Sequence, residues 1–150
     1  MRGMETFPFE IAETAHALRR AFDRRAAGLG VTRAQWKVLF RLDRSPGLRQ
    51  VELADKLDIE PITLCRIVDR LEEAGLVERR RDPTDRRAWQ LYLTETARPL
   101  HRELRALGAE LVDEAFAGIP AEKIAIAREV LSQVRETLAR PAEDKKASNA

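Results

Sequence analysis

Residues 50–75 read QVELADKLDIEPITLCRIVDRLEEAG and contain the most informative pattern in the chain. Its first part predicts a short helix over about 50–58, because apolar residues recur there at helical spacing. The expected buried side of this helix consists of Val51, Leu53, Ala54 and Leu57. After a break at 58–60, Pro61 suits the first turn of a second helix, where its missing N–H would be unpaired anyway. Two helices joined by so short a turn predict a helix-turn-helix.

The joint between these two helices has the residues that close packing needs. Ala54 is small enough to let the helices cross closely, and Leu64 and Ile67 can fill the crossing. Asp58 stands where a turn glycine is often found, and aspartate tolerates that position because its side chain can bond the local backbone. Gly75 ends the second helix.

Two further helices are predicted before this stretch. Apolar residues at spacings of three and four predict a helix over about 9–29, which Gly28 and Gly30 end. Thr32 and Gln35 fit a capping box at the start of the next helix. The Ser-Pro-Gly run at 45–47 stops that helix.

A β-hairpin and two long helices are predicted after residue 75. Residues 77–81 are predicted to form a strand, and residues 89–93 alternate in a strand-like way after a turn-rich segment at 82–85. Thr94 can cap the next helix, which runs to about residue 117 and is broken at 118–120. The last helix carries an apolar seam formed by Ile124, Ala127, Leu131, Val134 and Leu138. The tail from residue 141 is polar, and we expect it to be disordered.

The order of these elements predicts a mainly α protein with a small β-hairpin wing, that is, a winged helix-turn-helix flanked by helical arms. We assign residues 1–31 to an N-terminal dimerisation helix, 32–93 to the winged helix-turn-helix, 94–140 to C-terminal dimerisation helices and 141–150 to the tail. The arms carry more apolar helix than one small domain needs to cover itself. This favours a homodimer over a monomeric helical core, and a two-fold dimer matches the symmetry of duplex DNA.

Composition bounds the function. The 150 residues suffice for about one domain, and 27 basic against 25 acidic residues leave a formal net charge of only +2. One cysteine and two histidines cannot form a disulfide or a Cys/His metal cluster within the chain. No nucleophile–base pair or glycine-rich phosphate loop is visible, so we expect no enzyme, no catalytic residue, no metal and no cofactor. The absence of a membrane-length apolar run and of a signal peptide indicates a cytoplasmic protein without a membrane partner.

Six motifs along the chain resemble the MarR family of bacterial transcriptional regulators, and most closely its SlyA-like branch. They are E-L-A at 52–54, I-E-P-x-T-x-x-R at 59–66, V-D-R-L-E at 68–72, G-L-V-x-R at 75–79, D-x-x-D-R-R at 82–87 and L-x-L-T at 91–94. The resemblance covers nearly the whole chain. It implies a homodimeric regulator, expected to be a repressor, that binds double-stranded DNA at a palindromic operator with half-sites about 10 bp apart. Activation of transcription stays open as the alternative.

The helix that begins at Pro61 is the one expected to read DNA. Its inward stripe is predicted to be Leu64, Val68 and Leu71, which leaves on other faces Ile62, Thr63, Arg66, Asp69 and Arg70. The resemblance places Thr63 and Arg66 in the major groove, where threonine can meet a thymine methyl or a phosphate and arginine can bind guanine. The alternative for Arg66 is an ordinary solvated charge. Arg70 is expected to contact phosphate or to pair with Glu73 or Asp69.

The hairpin tip is the second expected contact. Residues 79–87 hold five arginines and two aspartates, a local basic excess in a chain whose total charge is nearly balanced. The resemblance implies that Arg87 enters the minor groove, whose narrow parts concentrate negative potential, while Asp85 holds its guanidinium in place. Arg86 is expected to meet phosphate. The alternative is a loop that is charged only because it is exposed.

An effector site is expected on the first two helices. MarR-like proteins commonly bind small anionic aromatic compounds between the dimer helices and the DNA-binding region, so the resemblance implies an aromatic or phenolic effector that relieves DNA binding. The residues with suitable chemistry are His16, Arg20, Trp36 and Phe40. Each of them can equally be a core or interface residue.

Two other functions stay open. Cys65 lies on the predicted recognition helix, so its oxidation could release DNA, although it can equally be a small packing residue. Peroxide-sensing members of the family carry their reactive cysteine on the first helix, where this chain has none. A winged helix can also bind a protein partner in a larger assembly, but the wing arginines argue against that function.

Overall fold

The computed structural model describes residues 3–141, which form six helices and three strands. In chain order these elements are α1 (Phe7–Ala27), α2 (Arg33–Arg44), β1 (Leu48–Arg49), α3 (Gln50–Leu57), α4 (Pro61–Glu73), β2 (Val77–Arg81), β3 (Trp89–Leu93), α5 (Ala97–Ala115) and α6 (Ala121–Ala139). The chain divides into two compact units, one up to Leu111 and one from Val112 onward. The predicted fold class, a mainly α winged helix-turn-helix, is confirmed. The disorder expected for the tail concerns residues 142–150, which lie outside the described residues.

The core of the first unit lies between α2, the helix-turn-helix and the sheet. Its fully buried side chains include Val38, Leu39, Leu42, Leu53, Leu64, Leu71, Leu91 and Leu104. The predicted capping box at the start of α2 is confirmed, since Thr32 Oγ1 accepts from the backbone N–H of Gln35 and Gln35 Oε1 accepts from that of Thr32. This cap fixes the start of α2, the helix that packs against both helices of the helix-turn-helix.

The sheet has three antiparallel strands in the order β1-β3-β2, so the prediction of a two-stranded hairpin was incomplete. Strand β1 places Leu48 opposite Leu91 of β3. It begins beside Gly47, whose φ is +81° and whose backbone N–H donates to the Leu91 carbonyl. A Cβ at Gly47 would stand 2.8 Å from the Tyr92 hydroxyl, so this turn requires glycine. A strand of two residues is too short to show alternation in a sequence.

The two helices of the helix-turn-helix, α3 and α4, cross as predicted at Ala54 and Leu64, both of which are buried. The prediction that Val51 belongs to the buried side of α3 was wrong, because this residue is 66% exposed. The buried face of α3 is formed by Leu53, Ala54 and Leu57. At 3.6 residues per turn, Val51 lies about 110° around the helix from the middle of that face.

The second unit contains the end of α5, a turn and α6. The predicted break is confirmed, since Gly118 has a φ of +78° and α6 begins after Pro120. No residue of α6 is buried within the described chain, and Leu138 of its apolar seam is 77% exposed. A groove of about 750 Å³ in this unit is lined by mainly apolar side chains, among them Val112, Phe116, Ile119, Ile124 and Leu131.

Candidate nucleic-acid interface

The exposed face of α4 is the first part of the candidate interface. Leu64, Val68 and Leu71 are fully buried, as predicted for the inward stripe. The other side of the helix presents to solvent the residues Ile62, Thr63, Arg66, Asp69 and Arg70. Pro61 occupies the first helical turn, which confirms the predicted start of the helix. The division between inward and outward residues therefore agrees with the sequence.

The cations of this face are not neutralised by the protein. Among residues 3–141, neither Arg66 nor Arg70 forms a hydrogen bond or an ion pair with a side chain. Arg70 was expected to contact phosphate or to pair with Glu73 or Asp69, and the second alternative is not observed. Asp69 is occupied instead by Arg79, whose guanidinium lies 2.7 Å from its carboxylate. Two exposed guanidinium groups are thus left on the helix.

Arg79 on β2 is an internal residue, with only 13% of its side chain exposed. Besides Asp69, its guanidinium donates to the Cys65 carbonyl, to Glu72 and to Gln50 Oε1 on α3. It therefore fastens the strand to both helices of the helix-turn-helix. Arg79 therefore adds no free positive charge to the hairpin, because Asp69 and Glu72 balance it.

The wing is the hairpin of β2 and β3, and its loop begins at Asp82, which is 6% exposed. We call this start of the loop the base of the wing. The Asp82 carboxylate accepts hydrogen bonds from the Thr84 hydroxyl at 2.7 Å, from the Thr84 backbone N–H at 2.8 Å and from Arg49 Nε at 2.8 Å. The Thr84 hydroxyl and backbone bonds, together with the bond from Arg49, hold the pKa of the Asp82 carboxyl far below its ordinary range. The Asp-Pro-Thr sequence is a signal for such a turn, but the partnership with Arg49 has no local signal.

The tip of the wing carries the side chains of Arg86 and Arg87, both exposed. Neither side chain donates a hydrogen bond or forms an ion pair within the part of the chain that the structure describes. Asp85 Oδ1 accepts from the backbone N–H of Arg87 at 3.0 Å. The expected contact of Asp85 with the Arg87 guanidinium is therefore replaced by a bond that shapes the backbone of the tip.

Two more arginines of the hairpin stack on aromatic rings of β3. The guanidinium of Arg80 lies 4.1 Å from the centre of the Tyr92 ring, and that of Arg81 lies 5.0 Å from the centre of the Trp89 ring. Arg80 also pairs with Glu78. These contacts stiffen the stem of the wing, because cation–π contacts at such distances are attractive.

Cys65 is half-buried on α4, next to Arg79. The Sγ atom lies 3.8 Å from the Arg79 guanidinium, and the thiol lines a small cavity with Gln50 and Trp89. Its oxidation as a switch stays a hypothesis.

The four residues expected to bind an effector fall into two groups. Trp36 and Phe40 pack with Phe22 in an aromatic cluster, with ring centres 4.9–6.0 Å apart. His16 and Arg20 are exposed on α1. The structure thus places two of the four in a packed cluster and two at the surface.

Trp36 is also fixed by a polar contact between α1 and α2. Its indole N–H donates to Asp23 at 2.8 Å, and Arg33 lies 2.6 Å from the same carboxylate. Partial burial raises the pKa of Asp23, but the bonds from Arg33 and Trp36 outweigh it and hold this pKa below the ordinary range.

A cavity that the sequence did not indicate lies between α2, the sheet and α5. Its volume is about 470 Å³, and its basic lining residues are Arg80, Arg98, Arg102, Arg105 and the buried His101. The Nε2 atom of His101 forms no hydrogen bond within the described chain and lies 3.5 Å from the Asp43 carboxylate. Arginines at 98, 102 and 105 share one side of α5, which is the signal that could have pointed to this cavity.

Within residues 3–141, no helix is both long and apolar enough for a membrane span, and no group of three or more His, Cys, Asp or Glu side chains could hold a metal ion.

A helix-turn-helix with an exposed, partly cationic second helix, followed by an arginine-tipped antiparallel wing, defines a winged-helix DNA-binding protein. Comparison with known proteins gives the family. The sequence model of the MarR family matches residues 31–89. The structure of transcriptional regulator PA3341 is similar at 35% identity, over 88% of this chain and 97% of that one, with a TM-score of 0.79. The chain belongs to the MarR family of transcriptional regulators.

Two structures of MarR from E. coli are similar at lower identity. Wild-type MarR in its apo form shares 27% identity over 85% of this chain and 95% of that one, with a TM-score of 0.76. A cysteine-to-serine mutant of MarR complexed with operator DNA shares 26% identity over 88% of this chain and 95% of that one, with a TM-score of 0.75. In the second of these structures a protein of this fold is thus bound to operator DNA.

Proposed function

We propose that this protein is a homodimeric repressor that binds a palindromic operator, with α4 in the major groove and the wing in the minor groove. The observation that carries the proposal is the presence, among residues 3–141, of exposed, unpaired arginines on both elements that would face DNA. Arg49 and Arg79 are bound to carboxylates inside the fold, whereas Arg66, Arg70, Arg86 and Arg87 are exposed and unpaired within the described chain. Unpaired guanidinium groups on both reading elements suit a polyanion such as DNA.

The roles of the individual residues follow from their positions. Thr63 and Arg66, near the start of α4, are proposed to reach base edges, because the first turns of a recognition helix enter the major groove. Arg70, one turn later, and Arg86 are proposed to bind phosphates. Arg87 is proposed to enter the minor groove, with Asp85 fixing the backbone beside it.

The homodimer is proposed to form through the helical arms, residues 1–31 and 94–140. Support comes from α6, which buries no residue within the described chain and exposes its seam residues Val134 and Leu138. An exposed apolar seam of this length is typical of a helix that packs against another subunit. The seam would thus be covered by the partner in solution.

An aromatic anion is proposed to relieve DNA binding. The residues of suitable chemistry expected from the sequence are His16, Arg20, Trp36 and Phe40. The cavity beside His101, lined by Arg98, Arg102 and Arg105, offers a second location for an anion within one subunit. Placement in the SlyA-like branch stays a prediction from the motifs.

Protection of the DNA upstream of the gene from nuclease digestion tests this function. We expect two protected half-sites with two-fold symmetry, about 10 bp apart, at protein concentrations where sedimentation shows a dimer. Salicylate, as a simple phenolic anion, is expected to weaken the protection, while benzyl alcohol serves as an uncharged control. A monomer at these concentrations would contradict the proposal. So would protection that an unlabelled scrambled duplex abolishes as efficiently as unlabelled upstream DNA.

A further inference from the structure

The outward face of α4 carries one apolar side chain that the proposed contacts leave without a role. Ile62 is 69% exposed, although isoleucine is among the residues most often buried in folded proteins. It is the second residue of α4 and the neighbour of Thr63. Single exposed apolar residues are common on protein surfaces, so exposure alone assigns no function. The position of Ile62 relative to the proposed base contacts is the informative feature.

Ile62 lies one helical turn before Arg66. Residues four positions apart share a helix face, and the rise of about 1.5 Å per residue separates this pair by about 6 Å along the helix axis. Successive bases of one DNA strand are about 3.4 Å apart. Two side chains about 6 Å apart on one face therefore meet bases that are about one or two steps apart.

The chemistry of the side chain limits what it can recognise. A branched hydrocarbon offers no hydrogen bond to a base edge, and the edges of guanine, cytosine and adenine present only donors and acceptors in the major groove. The C5-methyl group of thymine is the one apolar group there. Packing a methyl group against Ile62 removes both from water, whereas any other base would be partly desolvated without a partner.

We propose that Ile62 is a specificity-determining residue that packs against the C5-methyl group of a thymine, about one or two steps from the guanine bound by Arg66 in each half-site. The inference rests on the proposed function, because it requires α4 to lie in the major groove. It adds a hydrocarbon contact beside those proposed for Thr63 and Arg66. Each half-site then contains a thymine that cannot be replaced without loss of affinity.

The test removes the methyl group from the DNA and its partner from the protein. In the operator located by nuclease protection, each thymine is replaced in turn by deoxyuridine, at the same position in both half-sites. For the full chain we expect one thymine near the Arg66 guanine at which the replacement weakens binding about fourfold per half-site, the effect of about one buried methyl group. Ile62→Ala is expected to weaken binding to the thymine operator to a similar extent and to bring the uracil-to-thymine ratio of Kd values close to one.

The matched control is Val51→Ala, which truncates an equally exposed β-branched residue on α3, at 66% exposure. It is expected to keep the uracil-to-thymine ratio of the parent, and thermal melting checks that both variants fold. The assignment of Ile62 is overturned if Ile62→Ala keeps the parent's uracil-to-thymine ratio of Kd values, or if only Val51→Ala brings that ratio to one. The proposed function stands in either case. Failure of the parent protein to form any specific complex with the upstream DNA overturns both.

Discussion

Arg49, at the end of β1, donates a 2.8 Å hydrogen bond from its Nε to Oδ2 of Asp82, the first residue of the wing loop. The guanidinium of Arg49 also lies 3.4 Å from the Thr84 hydroxyl. Because α3 begins directly after Arg49, this contact connects the start of the helix-turn-helix to the base of the wing. This contact thereby fixes the position of the wing relative to the helix-turn-helix, the two elements proposed to bind DNA.

Asp82→Asn is expected to lower both the free energy of unfolding and the affinity for DNA, because the neutral amide loses its charge-assisted bonds to Arg49 and to the turn at Thr84. The pKa of Asp82 is lowered in the folded state, so its stabilisation is present above the ordinary pKa of aspartate and is lost as pH falls through the lowered value. Urea unfolding at several pH values measures this.

The difference in unfolding free energy between the parent and Asp82→Asn is expected to be largest near neutral pH and to shrink below about pH 4. Asp55→Asn, on the exposed side of α3, is the control and is expected to change little at any pH. A constant difference across this range would show that the charge of Asp82 contributes nothing.

Arg79→Ala is expected to lower the unfolding free energy by about 1–2 kcal/mol, because several acceptors on α3 and α4 lose their donor. The loss stays modest because the exposed carboxylates among these acceptors remain hydrated. The substitution also frees the charge of Asp69 beside the proposed DNA surface. We therefore expect weaker binding to specific and random duplexes alike. Arg80→Ala is the control on the same strand, with a smaller effect on stability.

Hydrogen exchange separates the two contributions of Arg79. Loss of the internal bonds predicts faster exchange of the α4 backbone amides in Arg79→Ala than in Arg80→Ala. Equal exchange in both variants would contradict a fastening role for Arg79, even if DNA binding weakened.

Asp58 adopts the left-handed conformation, with φ +52° and ψ +48°, at the end of α3. Asp58→Gly is expected to keep or raise the unfolding free energy by up to about 1 kcal/mol, since glycine adopts this conformation without strain. Asp58→Val is expected to lower it by more than about 1 kcal/mol, because a β-branched residue resists positive φ. Urea unfolding measures both.

Asp55→Gly, inside α3, provides a control of opposite sign. It is expected to destabilise the protein, because glycine is a poor helix former. If Asp58→Gly were destabilising to the same extent as Asp55→Gly, the conformation of Asp58 would impose no cost.

The helices could be predicted because their signals are local. The capping box of Thr32 and Gln35 and the inward stripe of Leu64, Val68 and Leu71 each depend on residues within a few positions of one another. The strand-like alternation of residues 89–93 after the turn-rich segment 82–85 likewise indicated the wing. A family resemblance then supplied the function that these local patterns alone leave open.

The features that escaped prediction depend on tertiary contacts. Strand β1 exists only because Leu48 lies opposite Leu91, and the internal position of Arg79 depends on three carboxylate or amide partners from other elements. Val51 was misplaced because the width of the buried face of α3 is set by what packs on it. A side chain's partners at long range leave no periodic trace in the sequence.

We propose that α4 reads bases while the wing arginine holds the duplex, and two arginine variants distinguish these roles. Fluorescence anisotropy gives the Kd of the parent, Arg66→Ala and Arg87→Ala for the operator and for a scrambled duplex over a range of salt concentrations. Arg66→Ala is expected to lose about 1–3 kcal/mol on the operator and little on the scrambled duplex. Arg87→Ala is expected to weaken both nearly equally and to reduce the salt slope by about one. Equal losses on both duplexes in both variants would contradict this division between α4 and the wing.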